Sequence, residues 1–438
     1  MVRTKDYSVQ AKDTFSIQQR IDMCHASGGG EVRLVTGLYL CGTISIKSGV
    51  HLVLESGARI VGSRLIDDYE PIVAGLGDHA PGDLRCLIHA DQSQNCGIRG
   101  SGTIDGNFSE SLTFDSPLCD EFRPRLCFFR DCQDVELSEV KFTNSGFWTL
   151  HLLRCQDVRV DSVAIINNYD RINTDGIDPD SCRRVSIRNC VIATGDDCIV
   201  MKSTCGDPCE DVEVRNCVLK TWHGAIKVGT ESLAPIRRVK VSDCSIPDIG
   251  IPKGPALGIG IYMKDIGSYE EFSFERIDIE GHQQLAIMVD VRPRWPDQSQ
   301  SCGRISGLLF KDITIHGSGR LLFEGRVDSP LSGLSIQNVQ CELTGMALSR
   351  VKPRGAGRMR EDPSLPDYLN TDHHIILANA EGVQLEGLAV RLKSAGNLGS
   401  RGGLILYNVN DVDLSKICGQ LMFEEVTDFV EGKGRRAT

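Results

Sequence analysis

The 438-residue sequence lacks the features that would assign it to a membrane or to a nucleic acid. No run of 18 or more apolar residues occurs, so the sequence predicts no transmembrane helix. Positive charge is not in excess, because 48 lysines and arginines stand against 59 acidic residues and leave a net charge of −11. A protein that neutralises phosphate groups needs a basic face, and here the lysines and arginines are interspersed with acids. We therefore expect neither a membrane nor a nucleic acid as a partner.

The first residues contain no apolar segment of the kind found in a secretory signal. Residues 1–6 are polar and include Arg3 and Lys5. This start predicts a cytoplasmic protein, and a secreted or periplasmic protein whose signal had been removed would show the same pattern.

The 18 cysteines follow no pattern that predicts a metal site or a disulfide framework. No C-x-x-C pair is completed by a second pair or by a histidine motif, so we expect no zinc and no other cofactor. Several cysteines occupy alternating apolar segments in which valine or isoleucine would serve equally: Cys155, Cys182, Cys190, Cys217 and Cys244. Because free cysteine is among the most buried residue types, these positions predict buried thiols.

One amphipathic helix is predicted over residues 13–26. Asp13 is a residue type that favours helix starts. The apolar side chains of the predicted buried face recur at helical spacing: Phe15, Ile17, Ile21 and Cys24. Glycines 28 to 30 end the helix. From Glu31 onward, apolar and polar residues alternate in short segments separated by glycine, which is typical of β-strands.

The middle of the chain repeats itself. Residues 182–190 and 209–217 share a cysteine, an alternating apolar segment and a second cysteine, so Cys209 occupies the position of Cys182 in the next copy. The same spacing separates Cys217 from Cys244. A period of about 20 to 30 residues built from short strands predicts a solenoid, in which each coil buries its inward face against the next. The Leu-x-x-Leu-x-Leu frame of leucine-rich repeats is absent.

These patterns predict an all-β fold, a single-stranded right-handed parallel β-helix (solenoid) with an N-terminal capping helix. We expect one domain over residues 1–438, with the cap helix at 13–26 and the coils with their inserted loops at 31–430. Stretches rich in proline, glycine and charge predict projecting loops at residues 64–84, 106–126, 290–303 and 350–373. The sequence leaves the oligomeric state open.

Three polar segments lie about one coil apart, and the core of a solenoid does not require them. The first contains Asp175, the second is the pair Asp196 and Asp197, and the third contains His223. The steps from Asp175 to Asp196 and from Asp197 to His223 each match about one coil of the predicted solenoid. Because residues one coil apart are stacked neighbours, we expect these side chains to line one face.

Two further features bear on this face. Lys264 follows His223 by one coil plus an inserted loop at 247–255, so we expect it to join the same face. In a regular strand Asp196 and Asp197 would point to opposite sides. Both can therefore reach one groove only if the chain bends at Gly195.

Clustered carboxylates are costly to ionise together, because like charges a few ångströms apart push one pKa upward. Hydrolysis of a glycosidic bond requires this inequality: one protonated carboxyl donates to the leaving oxygen, and an ionised one activates water. The residues therefore favour a glycoside hydrolase that acts on an oligo- or polysaccharide. Two other functions stay open: a polysaccharide lyase, which needs calcium-binding carboxylates and an arginine base, and a non-catalytic carbohydrate-binding β-helix.

The ordered motifs resemble those of glycoside hydrolase family 28, the pectin-degrading polygalacturonase group. They are the string 173–178, the segment 195–197, the pair His223-Gly224, and Lys264. The resemblance covers roughly residues 13–430 and implies an inverting hydrolase. Long loops and a cytoplasmic location favour exo-action on galacturonate-containing or related pectic oligosaccharides.

The resemblance also implies a role for each residue. Asp196 is expected to be the general acid, with Asp175 and Asp197 holding the attacking water. His223 is expected to orient the acid or the substrate, and Lys264 to contact the sugar carboxylate. The other expected substrate-binding residues are Asn173, Gly224 and Tyr262.

Two positions depart from the family pattern. Trp222 stands where a glycine usually precedes the His-Gly pair, and Tyr262 replaces the arginine of an Arg-x-Lys motif. Arginine binds a carboxylate with a rigid fork of donors that tyrosine lacks. Either the substrate is not plain polygalacturonate, or another arginine serves instead, with candidates at Arg171, Arg292, Arg294, Arg354 and Arg358.

Overall fold

The computed structural model describes residues 8–72, 84–108, 123–250, 257–282, 285–292, 302–317, 320–344, 374–393, 403–413, 425–430 and 433–436. These residues belong to two compact units, unit 1 (Met1–Thr221) and unit 2 (Trp222–Thr438). No helix in this described part of the chain is long and apolar enough to cross a membrane.

Unit 1 begins with the α-helix α1, Thr14–Ala26, so the predicted capping helix is present. It buries Ile17 and Ile21, which lie about one turn apart, and it contacts the first strands of the unit. The prediction was wrong at Phe15, which is 53% exposed. The buried face instead includes Thr14, whose hydroxyl accepts a hydrogen bond from the backbone N–H of Gly42.

The described strands of unit 1 are short. In chain order they are β1 Gly30–Leu34, β2 Gly37–Cys41, β3 Ile44–Ile46, β4 Val50–Leu54, β5 Ala58–Gly62, β6 Pro71–Ile72, β7 Leu84–Asp91, β8 Gln94–Arg99, β9 Thr103–Asp105, β10 Arg125–Arg130, β11 Gln133–Ser138, β12 Lys141–Thr143, β13 Leu150–Leu153, β14 Gln156–Asp161, β15 Ala164–Ile166, β16 Ile177–Asp180, β17 Arg183–Arg188, β18 Val191–Thr194, β19 Ile199–Ser203, β20 Cys209–Arg215 and β21 Val218–Thr221. Two 3₁₀ helices also occur, at Val9–Ala11 and Ile66–Asp68.

Strand β6 pairs antiparallel with β7. The other strands stack as three parallel ladders, and one coil contributes a strand to each. The first ladder runs β3-β7-β10-β13-β16-β19. The second runs β1-β4-β8-β11-β14-β17-β20, and the third runs β2-β5-β9-β12-β15-β18-β21. Arg183 pairs with Glu210, at the same spacing as Cys182 and Cys209, so the repeat seen in the sequence is one coil.

One position in each of the strands β8, β11, β14, β17 and β20 of the second ladder has a left-handed backbone, with φ between 48° and 58°. Asparagine and aspartate tolerate this region better than other non-glycine residues, and they dominate the position. Its members are Asn95, Asp134, Asp157, Arg184 and Asp211. The repeated polar pair before each apolar strand in the sequence therefore marks a turn of the coil.

Unit 2 continues the same construction with longer strands. They are β22 Gly224–Ser232, β23 Ile236–Ile246, β24 Leu257–Met263, β25 Ser268–His282, β26 Leu285–Val291, β27 Arg304–Gly317, β28 Arg320–Glu324, β29 Leu331–Thr344, β30 Ile375–Glu386, β31 Ala389–Lys393, β32 Gly403–Asp413, β33 Glu425–Val430 and β34 Lys433–Arg436. One parallel ladder runs β22-β24-β26-β28-β30-β32, and another contains β23, β25, β27 and β29. Gly307 and Gly333 have φ near 67° within the second of these ladders.

The inward side chains of both units form apolar stacks, as the fold prediction required. The described cysteines are free thiols, and all of them except Cys24 and Cys205 are buried, which confirms the prediction made for them. The fold class, a parallel β-helix with an N-terminal helix, is confirmed. The single domain stays a prediction.

Only parts of the predicted loops can be compared with the structure. Strand β26 continues to Val291, so the predicted loop 290–303 begins later than expected. The predicted loop 350–373 lies outside the described residues.

Candidate active site

The first ladder of unit 1 carries two of the predicted carboxylates just before its strands begin. Ile177 of β16 pairs with Ile199 of β19, and this pair sets the register of the coil. Asp175 and Asp197 each stand two residues before that pair, so they occupy equivalent positions in successive coils. The stacked partner of Asp175 is therefore Asp197, one residue after the approximate step of one coil to Asp196.

Asp196 and Asp197 lie in a break between strands, since β18 ends at Thr194 and β19 begins at Ile199. Gly195 opens the break, and a Cβ there would lie 2.1 Å from the carbonyl oxygen of Arg171. Outside a regular strand the two side chains are not forced to opposite faces. A carboxylate oxygen of Asp196 lies within 4.8 Å of one from Asp197. The bend expected at Gly195 is present.

Backbone donors fix the carboxyl group of Asp196, which is 7% exposed. Its Oδ2 accepts a hydrogen bond from the N–H of Asn173 at 2.8 Å, and its Oδ1 accepts one from the N–H of Asp197 at 3.0 Å. Its carbonyl oxygen accepts from the hydroxyls of Thr194 and Thr221, at 2.7 and 2.5 Å. Backbone donors of this kind stabilise the ionised form of a carboxyl group and set its orientation.

Asn173 is held in turn by an arginine that the sequence analysis did not single out. Asn173 has φ 56°, and its Oδ1 accepts from Nη2 of Arg123 at 3.0 Å. Nη1 of Arg123 donates to the carbonyl oxygen of Ile172 at 2.8 Å, and the guanidinium lies 4.9 Å from the ring centre of Phe147. Asn173, whose N–H donates to Asp196, is therefore fixed through both its backbone and its side chain.

Asp175 and its neighbour Asp178 are carboxyl groups with a raised pKa. Of the two, Asp175 belongs to the predicted catalytic set. It is 3% exposed, and burial raises its pKa well above the usual value, with further increases from Asp196 and Asp178. The positive charge of Lys202 acts in the opposite direction. The structure therefore brings a carboxyl with a raised pKa, Asp175, close to Asp196, whose carboxyl accepts two backbone N–H groups.

Four buried polar residues lie on the outer face of the first ladder, and the sequence analysis included only Asp178 among them, within the string 173–178. His151 of β13 pairs in register with Asp178 of β16, and Asp180 of β16 pairs with Lys202 of β19. All four are at most 4% exposed. A sequence pattern could have predicted them, because charged residues at alternate positions of otherwise apolar strands belong to one face.

Asp180 has a complete set of hydrogen-bond partners. It accepts from the backbone N–H of Thr204 at 2.9 Å and from the Thr204 hydroxyl at 2.6 Å, and Nε2 of His151 lies 3.3 Å away. Burial opposes ionisation, but the hydrogen bonds from His151 and Thr204 outweigh it and hold the pKa of Asp180 below its usual value. Burial lowers the pKa of His151 to about 4, so this imidazole is neutral at physiological pH.

His223 and Gly224 lie at the start of unit 2. Gly224 is the first residue of β22 and pairs with Leu257, whose N–H donates to the carbonyl oxygen of His223 at 2.6 Å. The His223 ring is half-buried and meets the ring of Trp222 edge-on, with centres 4.6 Å apart. The alignment of His223 with the carboxylates of unit 1 stays a prediction.

Tyr262 and Lys264 are both 2% exposed, at the end of β24 and just after it. Nζ of Lys264 donates to Oδ2 of Asp290 at 2.5 Å and lies 5.6 Å from the centre of the Tyr262 ring. Burial opposes ionisation of Asp290, but Arg292 and Lys264 outweigh it and keep the pKa of Asp290 below its usual value. The ammonium expected to meet a sugar carboxylate already has an ionised partner in unit 2.

Arg292 completes this network. Its Nε lies 2.9 Å from Oδ1 of Asp290, and its guanidinium also pairs with Glu324. Two cations, Lys264 and Arg292, therefore share two carboxylates. The contact between Lys264 and a sugar carboxylate stays a prediction.

Of the other arginines considered as substitutes for the family's arginine, the structure describes Arg171. Arg171 is 2% exposed, with its guanidinium 5.5 Å from the Phe108 ring centre. Arg294, Arg354 and Arg358 lie outside the described residues.

The residues of unit 1 do not argue for a bound cation. Asp196 and Asp197 bring their oxygens within 4.8 Å, but this pair offers fewer ligands than the six to eight oxygens that Ca²⁺ takes. The expectation that the protein uses no cofactor stays a prediction.

In unit 1, buried carboxyls lie just before strands of a parallel β-helix. A family model described as "Glycosyl hydrolases family 28" matches residues 72–352, more than half of the chain. The chain belongs to this family.

Similar proteins agree with this assignment. The chain is 30% identical over 186 residues to a probable polygalacturonase of Vitis vinifera, covering 41% of this chain and 38% of the relative. It is 28% identical over 207 residues to an endo-polygalacturonase of Pectobacterium parmentieri, covering 43% of this chain and 51% of the relative. The matched segments thus span about half or less of these relatives' lengths.

One solved structure shows the same fold over most of the chain. The family 28 exopolygalacturonase of Yersinia enterocolitica superposes with a TM-score of 0.69 at 18% identity, covering 92% of this chain and 75% of that one. The likeness supports the right-handed parallel β-helix and does not extend to the mode of action.

Proposed function

We propose that the protein is an inverting, exo-acting hydrolase of galacturonate-containing or related pectic oligosaccharides. The observation that carries the proposal is the row of Asp175, Asp196 and Asp197 in unit 1. One of these carboxyls accepts two backbone N–H groups, and another has a raised pKa. Unequal carboxyls at one site are what acid-base cleavage of a glycosidic bond requires.

Asp196 is the general acid in this proposal. In the free protein its two backbone donors favour the ionised form, and the raised pKa of Asp175 lets the pair hold one proton between them. A bound sugar excludes water from the exposed edge of Asp196, which favours its protonated form. Asp175 is then ionised and, with Asp197, holds the water that attacks the anomeric carbon.

Unit 2 supplies the remaining roles in the proposal. His223 orients the acid or the substrate, and Gly224 and Tyr262 line the sugar site together with Lys264. The ion pair between Lys264 and Asp290 and the tyrosine at 262 are the reasons for including related pectic sugars beside galacturonate. The matched relatives carry both endo and exo names, so exo-action rests on the long loops predicted from the sequence.

The test is a product analysis with the purified protein. Oligogalacturonides, rhamnogalacturonan fragments and neutral galactans are incubated separately, and the products are followed by chromatography and by proton NMR of the first turnovers. The proposal predicts release of terminal sugars from a pectic substrate, with the anomeric configuration inverted.

Other outcomes contradict specific parts of the proposal. Products of mixed length from the first minutes would establish endo-action. Retention of the anomeric configuration would exclude direct attack of water on the anomeric carbon. Unsaturated products absorbing in the ultraviolet would indicate a lyase. Binding without any product would favour a carbohydrate-binding β-helix.

A further inference from the structure

Two carboxyl groups of β16, next to the proposed catalytic row, differ in their hydrogen-bond partners. Asp178 and Asp180 are both fully buried. Asp180 is satisfied by Thr204 and His151, whereas neither carboxylate oxygen of Asp178 has a hydrogen-bond partner among the described residues. A buried carboxyl without hydrogen bonds ionises only where a positive charge compensates it. Burial raises the pKa of Asp178 well above its usual value, and the largest opposing contribution comes from a cation.

That cation is Lys202. Its Nζ lies 3.9 Å from Oδ1 of Asp178, and the residue is 4% exposed. The same Nζ lies 4.5 Å from the ring centre of Trp148, over which the guanidinium of Arg125 also lies, at 4.9 Å. Strand β19 fixes the backbone of Lys202, and the aromatic ring fixes its ammonium by a cation–π contact.

Trp148 also belongs to the column of the catalytic row. Leu150 of β13 pairs with Ile177 of β16, and Trp148 stands two residues before this pair on its own coil, as Asp175 does on the next. The ring that holds the ammonium of Lys202 therefore occupies the position one coil before Asp175.

We propose that Lys202 is a positioning residue for the hydrolytic reaction: its ammonium, held beside Asp178 and over Trp148, supplies the positive charge that allows Asp175 to act as a carboxylate. This inference rests on the proposed function, because it takes from there the role of Asp175 in holding the attacking water. Lys202 does not touch the substrate and acts through the charges of its neighbours.

The charges around Asp175 give the direction of the effect. Burial raises the pKa of Asp175, Asp196, Asp178 and Asp197 raise it further, and Lys202 lowers it. The charged and titratable groups of unit 1 that interact with Asp178 or with Lys202 include Asp175, Asp180, Asp197, Arg125 and His151. Without Lys202, the row of acids loses a positive charge that lowers the pKa of Asp175, and the protonated form of Asp175 would gain.

The experiment compares Lys202→Met, Lys202→Arg and the control Lys141→Met, which alters an exposed lysine of β12. The pH profile of kcat/KM is measured on the oligosaccharide that the wild type cleaves. The acidic limb of this profile reports ionisation of the base. In Lys202→Met we expect this limb to move up by about one pH unit, because the variant lacks the ammonium that favours the ionised form of Asp175. Lys202→Arg and Lys141→Met are expected to keep the wild-type limb and KM.

The double variant Asp178→Asn, Lys202→Met removes both members of the pair and guards against a folding defect. The proposal predicts an acidic limb closer to that of the wild type than the limb of Lys202→Met, because the loss of Asp178 removes an acid that raises the pKa of Asp175. A uniform loss of kcat in Lys202→Met with an unmoved limb, or a limb displaced equally in the double variant, would assign Lys202 a purely structural role and overturn the proposal.

A second readout separates this inference from the proposed function. Titration of carboxyl-¹³C-labelled aspartates by NMR, with Asp175→Asn to assign the signal, needs no substrate. The proposal predicts that Asp175 titrates at higher pH in Lys202→Met than in the wild type. If the wild type cleaves no pectic oligosaccharide, the proposed function fails while this titration still decides the effect of Lys202 on Asp175.

Discussion

The backbone N–H of Asn173 donates to Oδ2 of Asp196 at 2.8 Å and so joins two consecutive coils at the proposed acid. Asn173 makes this bond from a left-handed backbone, φ 56°, while its side chain accepts from Arg123. The orientation of the acid therefore depends on a residue type that tolerates this conformation and also offers an acceptor.

Variants at Asn173 are expected to separate these two requirements. Asn173→Ala strains the left-handed turn and removes the acceptor for Arg123, so we expect kcat to fall about 10-fold or more with a small change in stability. Asn173→Gly keeps the turn and is expected to lose less. The measurement is steady-state kinetics with thermal unfolding on the same samples, and an alanine variant as active as the wild type would contradict this role.

The bend at Gly195 is expected to be intolerant of any side chain. A Cβ would lie 2.1 Å from a backbone oxygen of Arg171, which cannot move aside as a side chain could. We expect Gly195→Ala to lower both activity and stability, the latter by about 1–3 kcal/mol. Gly206→Ala is the matched control: its Cβ meets nothing within 4 Å, and only its φ of 80° adds strain. Equal losses in the two variants, measured by urea unfolding, would argue against a steric role for Gly195.

His151 gives the stability of the protein a pH dependence of known sign. Burial lowers the pKa of His151 from 6.5 to about 4, so below pH 6.5 the unfolded chain binds a proton that the folded protein does not. The contribution of His151 is present above pH 6.5 and is lost as the pH falls toward 4, by about 3 kcal/mol. We expect His151→Gln to remove this difference when the free energies of unfolding are compared at pH 7 and pH 4.

A matched substitution makes that comparison specific. His25→Gln alters an exposed histidine of α1 and is expected to leave the pH dependence as in the wild type. If the free energy of unfolding changed with pH equally in His151→Gln and in the wild type, the proposed contribution of His151 would be contradicted.

The ion-pair network of unit 2 is expected to be sensitive to loss of Asp290. Asp290→Ala would remove the carboxylate that pairs with both Lys264 and Arg292 and would leave Arg292 paired with Glu324, a change that typically costs about 3–5 kcal/mol. Asp328→Ala removes an exposed carboxylate paired with Arg326 and is expected to cost about 1 kcal/mol or less. Urea unfolding of both variants distinguishes the two cases, and similar small losses would mean that the network is not held tightly.

The sequence was sufficient for the fold because the repeat and the alternation recur in many coils. An error in any single strand could not change the period, and the spacing of the cysteine repeat is also the spacing between the paired residues Arg183 and Glu210. Phe15 was misplaced because helical spacing alone does not say which face meets the first coil.

The site was harder to predict because it depends on the register. The partner of Asp175 is Asp197, which follows from the pairing of Ile177 with Ile199 and not from the spacing in the sequence. The outer-face group with Lys202 and the ion pair of Lys264 with Asp290 were missed for the same reason. In both, the partners lie a coil apart in the sequence, and only the ladder shows which polar residues meet.

The central claim, that Asp196 is the acid of a hydrolytic site, is tested most directly by the turnover of Asp196→Asn. The control is Asp157→Asn, which alters a surface aspartate of the same unit that pairs with Arg184. We expect kcat on the cleaved oligosaccharide to fall by about 10²- to 10⁴-fold in Asp196→Asn, with the fold intact, and to stay near the wild-type value in Asp157→Asn. Retained turnover in a folded Asp196→Asn variant would contradict the account.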